Sequence, residues 1–405
     1  MRSRSWALLL AALVTLGAGG TARPTPADTY QALQLYTEAM TLIHDRYVDA
    51  LPWDKIVQDS VRGAVQGLDA DSTVLEASPA DGHAAAATSG DVGLVLTRRD
   101  GGLTVVAALD GMPAQVAGIR SGDRIVMLDG DAVATLAPDT AVRRLRGRLG
   151  TEVKLTVMRI GWAEPRPFTL TRAKPAPSTA SSRGLGAGVL YVRMPRLDQA
   201  GVAELTRLLT VKPAEQATGL VLDLRNTVSG QIETVPAIAS LFLEPGRVVA
   251  HVEGRTPGLP RDLKTVPVAT TWKGPVAVLV SRGTSSAAEV LAGALQDARR
   301  AVIVGGTTFG DASTQSTTRL SDGETLSLTT ARYLTPDDHP ITGHGVVPDV
   351  AAQARAAGTG ERTVAAKSPA DSELELAFEV VKAAGIIERG AAGGGSTPVE
   401  AAAKP

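Results

Sequence analysis

The sequence predicts an α/β protein in three parts: a helical N-terminal segment, a mostly-β module, and an α/β layer domain. Three observations carry that expectation. Apolar residues from Tyr30 to Val65 recur at three- and four-residue spacings. From Val92 the pattern changes to short alternating runs separated by glycine-rich turns. From Gly188 onward, apolar strands alternate with helical stretches, the signature of an α/β layer. With 405 residues, 44% of them apolar, the chain has material for a sizeable core. At roughly 100–200 residues per domain, that length suggests two or three domains.

The N-terminus begins Met-Arg-Ser-Arg, followed by an apolar run from Trp6 to Leu16 and a small-residue stretch. Positive flank, short apolar core and small residues predict a signal peptide over residues 1–22. The run is shorter than the ~20 apolar residues a bilayer span needs. No membrane span is expected once the signal is cut; retention of the segment as an anchor is the alternative. The mature protein is then exported, to the periplasm or cell envelope.

A helical segment over 28–80 follows, about two helices punctuated by Pro52, with Leu68 to Gly90 ending in loop. The β module, over 88–173, holds strands at Val92–Thr97, Leu103–Ala108, Arg124–Leu128 and Val153–Arg159, and a helix over Asp139–Leu145. Residues 174–186, rich in Pro, Ser, Ala and Gly, read as a linker. In the layer domain, strands are expected at Val189–Arg193, Gly219–Leu224, Val276–Val280 and Ala301–Val304. Helices are expected at Ala200–Leu209, Val235–Phe242 and Ala287–Gln296. Residues 351–405 should hold a short amphipathic helix over Asp371–Lys382 and then a disordered Ala/Gly-rich tail from Arg389.

Composition removes several functions. Lys+Arg 41 against Asp+Glu 42 gives a formal charge of −1, no basis for nucleic-acid binding. The absence of cysteine excludes disulfides, thiolate nucleophiles and Cys-ligated metals. No histidine pair has helical metal-ligand spacing, so neither metal nor cofactor is expected. Nothing in the pattern points to an oligomeric state.

Several stretches then resemble one family in order along the chain. Gly111-Met-Pro-Ala-Gln-Val-Ala-Gly118, continuing to Gly122-Asp123 and Asp129-Gly130, resembles a PDZ domain of the type carried by C-terminal processing (tail-specific) peptidases. Gly219-Leu-Val-Leu-Asp-Leu-Arg225-Asn226, the run from Val278 to Ser286-Ala-Ala-Glu289, and Thr307-Thr-Phe-Gly310 are similar to the same family. So are Leu328 to Pro336 and Gly345-Val-Val-Pro348-Asp349. The resemblance implies a crotonase/ClpP-like core over 187–350. It also implies a PDZ domain that captures protein or peptide C-termini, and a Ser–Lys dyad supported by a Gln.

Carried over by position, the resemblance identifies Ser286 as the nucleophile, with the N–H of Ala287 as an oxyanion donor. A helix start after a buried strand suits that role, since the hydroxyl is exposed and the helix dipole favours developing negative charge. Ser286-Ala-Ala-Glu289 is equally a capping box, and both readings can hold together. The family's Phe-Gly-Lys-Gly-x-x-Gln segment reads Phe309-Gly310-Asp311-Ala312-Ser313-Thr314-Gln315. Gln315 is kept, but Asp311 stands where the family has its catalytic lysine. A neutral amine can take the serine proton, whereas a carboxylate near 3.9 is a poor base and opposes the oxyanion. Lys264, Lys273, His339 and His344 are possible replacement bases, although none matches a family base position.

The family's Asn-Pro-Gly-Gly appears as Thr227-Val228-Ser229-Gly230, which degrades the second oxyanion contact expected at Ser229 and Gly230. In the PDZ domain the carboxylate-binding Gly-φ-Gly-φ loop aligns with Asp91-Val92-Gly93-Leu94. Asp91 there puts a negative charge beside the expected ligand carboxylate. Two functional classes follow. One is a pseudopeptidase, or strongly impaired peptidase, that binds protein C-termini. The other is an active serine endopeptidase using Ser286 with a non-standard base.

Overall fold

The computed structural model describes residues 26–75, 89–99, 102–133, 138–175, 178–210, 214, 216–269, 271–352 and 369–393. The expected signal segment and the tail beyond residue 393 lie outside them. Contact clustering divides the chain into two units, Met1–Gly67 and Leu68–Pro405.

In the first unit, helices Pro26–Arg46 and Trp53–Gln66 form, as the three- and four-residue apolar spacing predicts. Pro52 precedes the second helix in extended conformation, where its missing N–H costs nothing. Both helices leave large apolar side chains exposed, among them Tyr30, Leu35 and Val57. No described helix in either unit is long and apolar enough to cross a membrane.

The second unit opens with a strand the sequence reading missed. Thr73–Leu75 pairs antiparallel with Thr325–Leu334, within the stretch expected to be loop. The PDZ module follows. Its sheet runs in the order Leu94–Arg99, Gly102–Ala108, Arg124–Leu128, Glu152–Met158, Arg166–Thr171, with helix Pro138–Leu145 against the first strand. Val92, Leu94, Val105, Ile125, Leu155, Ala141 and Leu145 close one core.

The layer domain is a six-stranded sheet in the order Ser181–Gly186, Val189–Arg193, Gly219–Asp223, Val276–Val280, Val302–Gly305, Val350–Ala351. All pairs are parallel except the first. The predicted linker therefore corrects in part: Ser181–Gly186 is an edge strand, held antiparallel by Val189–Arg193 despite its glycines. Both faces of the sheet are covered, which is why the central strands are apolar at every position. On one face Leu190, Leu220, Leu222 and Val278 meet Ala288, Leu291 and Leu295 of helix Ala287–Asp297. On the other, Val221, Ala277, Leu279 and Val304 meet Ala377 and Val381 of the C-terminal helix.

That helix spans Pro369–Gly393, longer than the expected Asp371–Lys382 and reaching into the stretch expected to be disordered. It docks on the layer domain within the expected span: Glu373 accepts from Arg225 Nη1 at 2.9 Å, and Val381 packs against Gly219 so closely that a Cβ there would come within 2.3 Å. A second, antiparallel sheet completes the core. Thr325–Leu334 pairs with Thr73–Leu75, with Val248–Gly254 and with Ser313–Arg319, and Val248–Gly254 also pairs with Arg261–Lys264.

Candidate active site

Strand Val276–Val280 is fully buried, and helix Ala287–Asp297 begins after a six-residue link. The link is stapled to the end of the neighbouring strand. Thr284 Oγ1 donates to Leu224 O at 2.8 Å, Ser285 N–H to Thr227 O at 3.1 Å, and Asn226 N–H to Ser281 Oγ at 3.2 Å. These bonds hold Ser286 in a conformation that non-glycine residues avoid, with φ 57° and ψ −124°. A strained residue on a sharp strand-to-helix turn is how a serine hydroxyl is presented clear of the sheet.

Glu289, one turn into the helix, is fully buried and reaches beyond the cap read from the sequence. Its Oε2 accepts from the Ser286 N–H at 3.1 Å and from the Asp311 N–H at 2.8 Å. Its Oε1 accepts from the Gly310 N–H at 2.6 Å and from the Thr308 hydroxyl. One carboxylate thus joins the serine turn to the Thr308–Asp311 loop, and a shared oxygen sets Ser286 beside Asp311. Burial pushes the Glu289 carboxyl up to about 7; the Thr308 hydroxyl and the Asp311 and Gly310 amides pull it back, while the Asp311 charge adds to the rise.

The Asp311 carboxyl is pushed up to about 6, first by burial and then by the Asp71 charge, with Arg99 pulling the other way. No hydrogen-bond donor among the described residues meets it. Asp71 itself is raised, chiefly by burial and by the Asp69 charge, against hydrogen bonds from Ser313 and Thr97 and the Arg99 charge. Ser313 Oγ donates to Asp71 Oδ2 at 3.1 Å. Gln315 is not brought to the serine: its amide donates to Ser313 Oγ at 2.8 Å.

None of the possible replacement bases engages Ser286 or Asp311. Lys264 pairs with Asp262 and Lys273 with Glu244. His339 and His344 are exposed and hydrogen-bond to Thr335 and Thr342.

The oxyanion candidates do converge. A Cβ on Gly230 would come within 3.0 Å of the Ala287 Cβ and 2.8 Å of Leu197 O, so the backbone there lies hard against the helix start. Ser229 pairs in register with Arg196. Thr227, which stands in the degraded motif, is wholly buried. Its hydroxyl donates to Met194 O at 2.6 Å and accepts from Arg193 Nη1 at 2.9 Å, a purely structural use.

The PDZ module touches this centre at two places. Arg99, at the far end of its edge strand, donates to Phe309 O at 3.0 Å and Gly310 O at 3.3 Å and stacks over the Phe309 ring at 4.2 Å. On the other side Asp110 accepts from Arg193 Nη2 at 2.7 Å and Asn226 Nδ2 at 3.1 Å, and Ser121 Oγ donates to Arg282 O at 2.7 Å.

At the carboxylate loop, Val92 and Leu94 are buried in the module's core. Asp91 folds onto its own loop. Its Oδ1 accepts from the Gly93 N–H at 2.8 Å and its Oδ2 from Arg146 Nε at 3.2 Å. Gly93 has φ 77°, and a Cβ there would sit 2.2 Å from the Met112 Cβ, so the position admits only glycine.

Comparison with known proteins matches this architecture. Peptidase family S41 matches residues 188–352 and the PDZ domain residues 90–164. A carboxyl-terminal-processing protease of Synechocystis is 35% identical over 283 residues, 69% of this chain and 65% of that protein, so the chain spans just under two thirds of that relative's length. The carboxy-terminal processing protease CtpA of Bacillus subtilis is 30% identical over 319 residues, covering 78% of this chain and 68% of CtpA. The chain belongs to the C-terminal processing peptidases. Among solved structures, the photosystem II D1 C-terminal processing protease matches with a TM-score of 0.66 and 27% identity, over 86% of this chain and 97% of that one.

Proposed function

We propose that this protein is an exported homologue of C-terminal processing peptidases that binds extended polypeptide through its PDZ domain and is strongly impaired in peptide-bond cleavage. The observation that carries the reading is the Asp311 carboxyl. It is carried by a residue whose backbone N–H shares a Glu289 oxygen with the Ser286 N–H, it lacks a donor of its own among the described residues, and it feels the charge of a second carboxylate, Asp71. Taking the serine proton there would place a neutral acid beside an oxyanion, with the Asp71 carboxylate adding negative charge that Arg99 only partly offsets. A protonated lysine would leave a positive charge facing that oxyanion.

The decisive experiment is degradation of an unfolded polypeptide with an apolar C-terminus at pH 7. The native chain should cleave it at background rate. Asp311→Lys should raise cleavage by at least ~100-fold, the lower end of what a dyad member contributes. Ser286→Ala in that background should abolish the gain. Robust turnover by the native chain that depends on Ser286 would overturn the proposal.

One observation favours the second reading, an active serine endopeptidase. A carboxyl raised to about 6 is a stronger base than an ordinary aspartate. In that case Ser286-dependent cleavage by the native chain would climb as pH rises through about 6 and then level off, because the base must be deprotonated.

Export rests on residues 1–22. Mature protein recovered from a secreting bacterial host should begin near Ala22, and full-length chain in the cytosol of that host would refute it.

A further inference from the structure

The Leu94–Arg99 strand is the edge of the PDZ sheet. It pairs with Gly102–Ala108 on one side, has no second strand partner among the described residues, and runs beside helix Pro138–Leu145. An unpaired edge beside a helix is where an extended peptide adds as a further strand. The start of that strand is where a ligand's terminal carboxylate is expected to find backbone N–H groups.

Here two of those groups are already taken. The Gly93 N–H donates to the Asp91 side chain at 2.8 Å, and the Asp91 N–H donates to Ala173 O at 2.8 Å. The loop itself cannot withdraw, because the Asp91 backbone is fixed from both sides, and the Asp91 side chain is tied by its bonds to the Gly93 N–H and Arg146. Ala173 N–H returns a bond to Asp91 O at 2.9 Å, and the preceding Gly90 pairs with Gly147. A Cβ at Gly90 would meet the Arg172 Cβ at 2.9 Å, which shows how tightly this segment is wedged. Arg146 bonds the Asp91 carboxylate at 3.2 Å from a largely exposed position, which offsets its charge only in part. The loop thus carries an internal carboxylate where a ligand's carboxylate would go, and a second one would meet like charge and an occupied donor.

We propose that the edge strand Leu94–Arg99 takes an internal segment of an extended polypeptide, one whose chain continues past Asp91, and that Asp91 turns free C-termini away. This rests on the reading that the PDZ domain binds polypeptide, and it replaces the C-terminal capture that the family pattern implies. A neutral backbone passing over the loop needs nothing from the Gly93 N–H, whereas a terminal carboxylate does. The remaining edge groups along Leu94–Arg99 supply ladder bonds to either kind of ligand, so discrimination falls on Asp91.

The test uses the full-length chain against two matched libraries of random decapeptides. In one the ten residues end in a free carboxylate; in the other a fixed Gly-Ser tail follows them. The native chain should enrich the tailed library at least ten-fold over the free-ended one. Asp91→Gly, which removes both charge and cap, should reverse that preference. Asp91→Asn keeps a cap for the Gly93 N–H while losing the charge and should fall between the two. It serves as a second probe if the glycine variant folds poorly. Enrichment of the free-ended library by the native chain would overturn the proposal, as would an unchanged preference in both variants. Enrichment of neither library by any of the three chains would instead overturn the underlying reading of polypeptide binding.

Discussion

The serine turn and the base position share one carboxylate oxygen of Glu289, yet they have diverged in opposite ways. At the turn, the backbone is tightly built. Ser286 is held in strain, Ala287 opens a buried helix, and Gly230 packs against that helix start. At the base position, the backbone is held just as firmly through the Gly310 and Asp311 amides, but the side chain it presents has the wrong charge. The contrast separates architecture from proton inventory: one carboxylate fixes both backbones, while the side chain presented at position 311 is set independently of them. It follows that the Ser286 strain is maintained by packing and hydrogen bonding, with no need of catalysis to explain it.

The sharpest way to break the comparison is to remove the shared element. Glu289→Ala would leave four donors, the Ser286, Gly310 and Asp311 amides and the Thr308 hydroxyl, without their acceptor in a buried space. A loss of about 3–5 kcal/mol in unfolding free energy is expected by chemical denaturation, the range for a broken buried charged network. Hydrogen exchange at the Gly310 and Asp311 amides should rise with it. A loss below ~1 kcal/mol, with those amides still protected, would show that the two loops are held independently.

Much of this was legible in the sequence, and the remainder was hidden for identifiable reasons. Val189–Arg193 and Val276–Val280 are strands over the residues expected, because a sheet covered on both faces forces unbroken apolar runs. Ser313–Arg319 was not legible: Ser-Thr-Gln-Ser-Thr-Thr-Arg is polar throughout and pairs through its backbone, with no apolar alternation to betray it. Ser181–Gly186 was read as linker for the same reason.

At the site, the capping role of Glu289 was local and visible, while its bonds to residues some twenty positions later depend on tertiary folding. Gln315 matches the family motif, but the register shift between Thr314 and Gln315 accompanies an amide that bonds to Ser313. The Asp91 cap could have been found. An aspartate two residues before a glycine is the pattern of an Asx turn, in which the side chain takes the N–H two positions on.

A smaller test addresses Asp311 alone and sharpens the contrast from the other side. Burial raises its carboxyl from 3.8 in the unfolded chain to about 6, so the folded protein binds this proton more tightly than the unfolded one. Its favourable contribution is therefore fully present below about pH 4 and is lost as pH rises through about 6. At pH 8 the ionised group should cost on the order of 2–3 kcal/mol, given about 1.36 kcal/mol per unit and its partial contact with solvent. Asp311→Asn removes the charge while nearly preserving shape, and the carboxylate it replaces has no donor to lose. The asparagine variant should therefore unfold about 2–3 kcal/mol later than the native chain at pH 8, and the advantage should vanish by pH 4. Removing this charge also lowers the Glu289 carboxyl, which Asp311 helps to raise, so the two effects share a sign. An advantage that stays equal at both pH values would mean that Asp311 is not a buried charge. The asymmetry between a well-built serine turn and an uncompensated neighbour would then collapse.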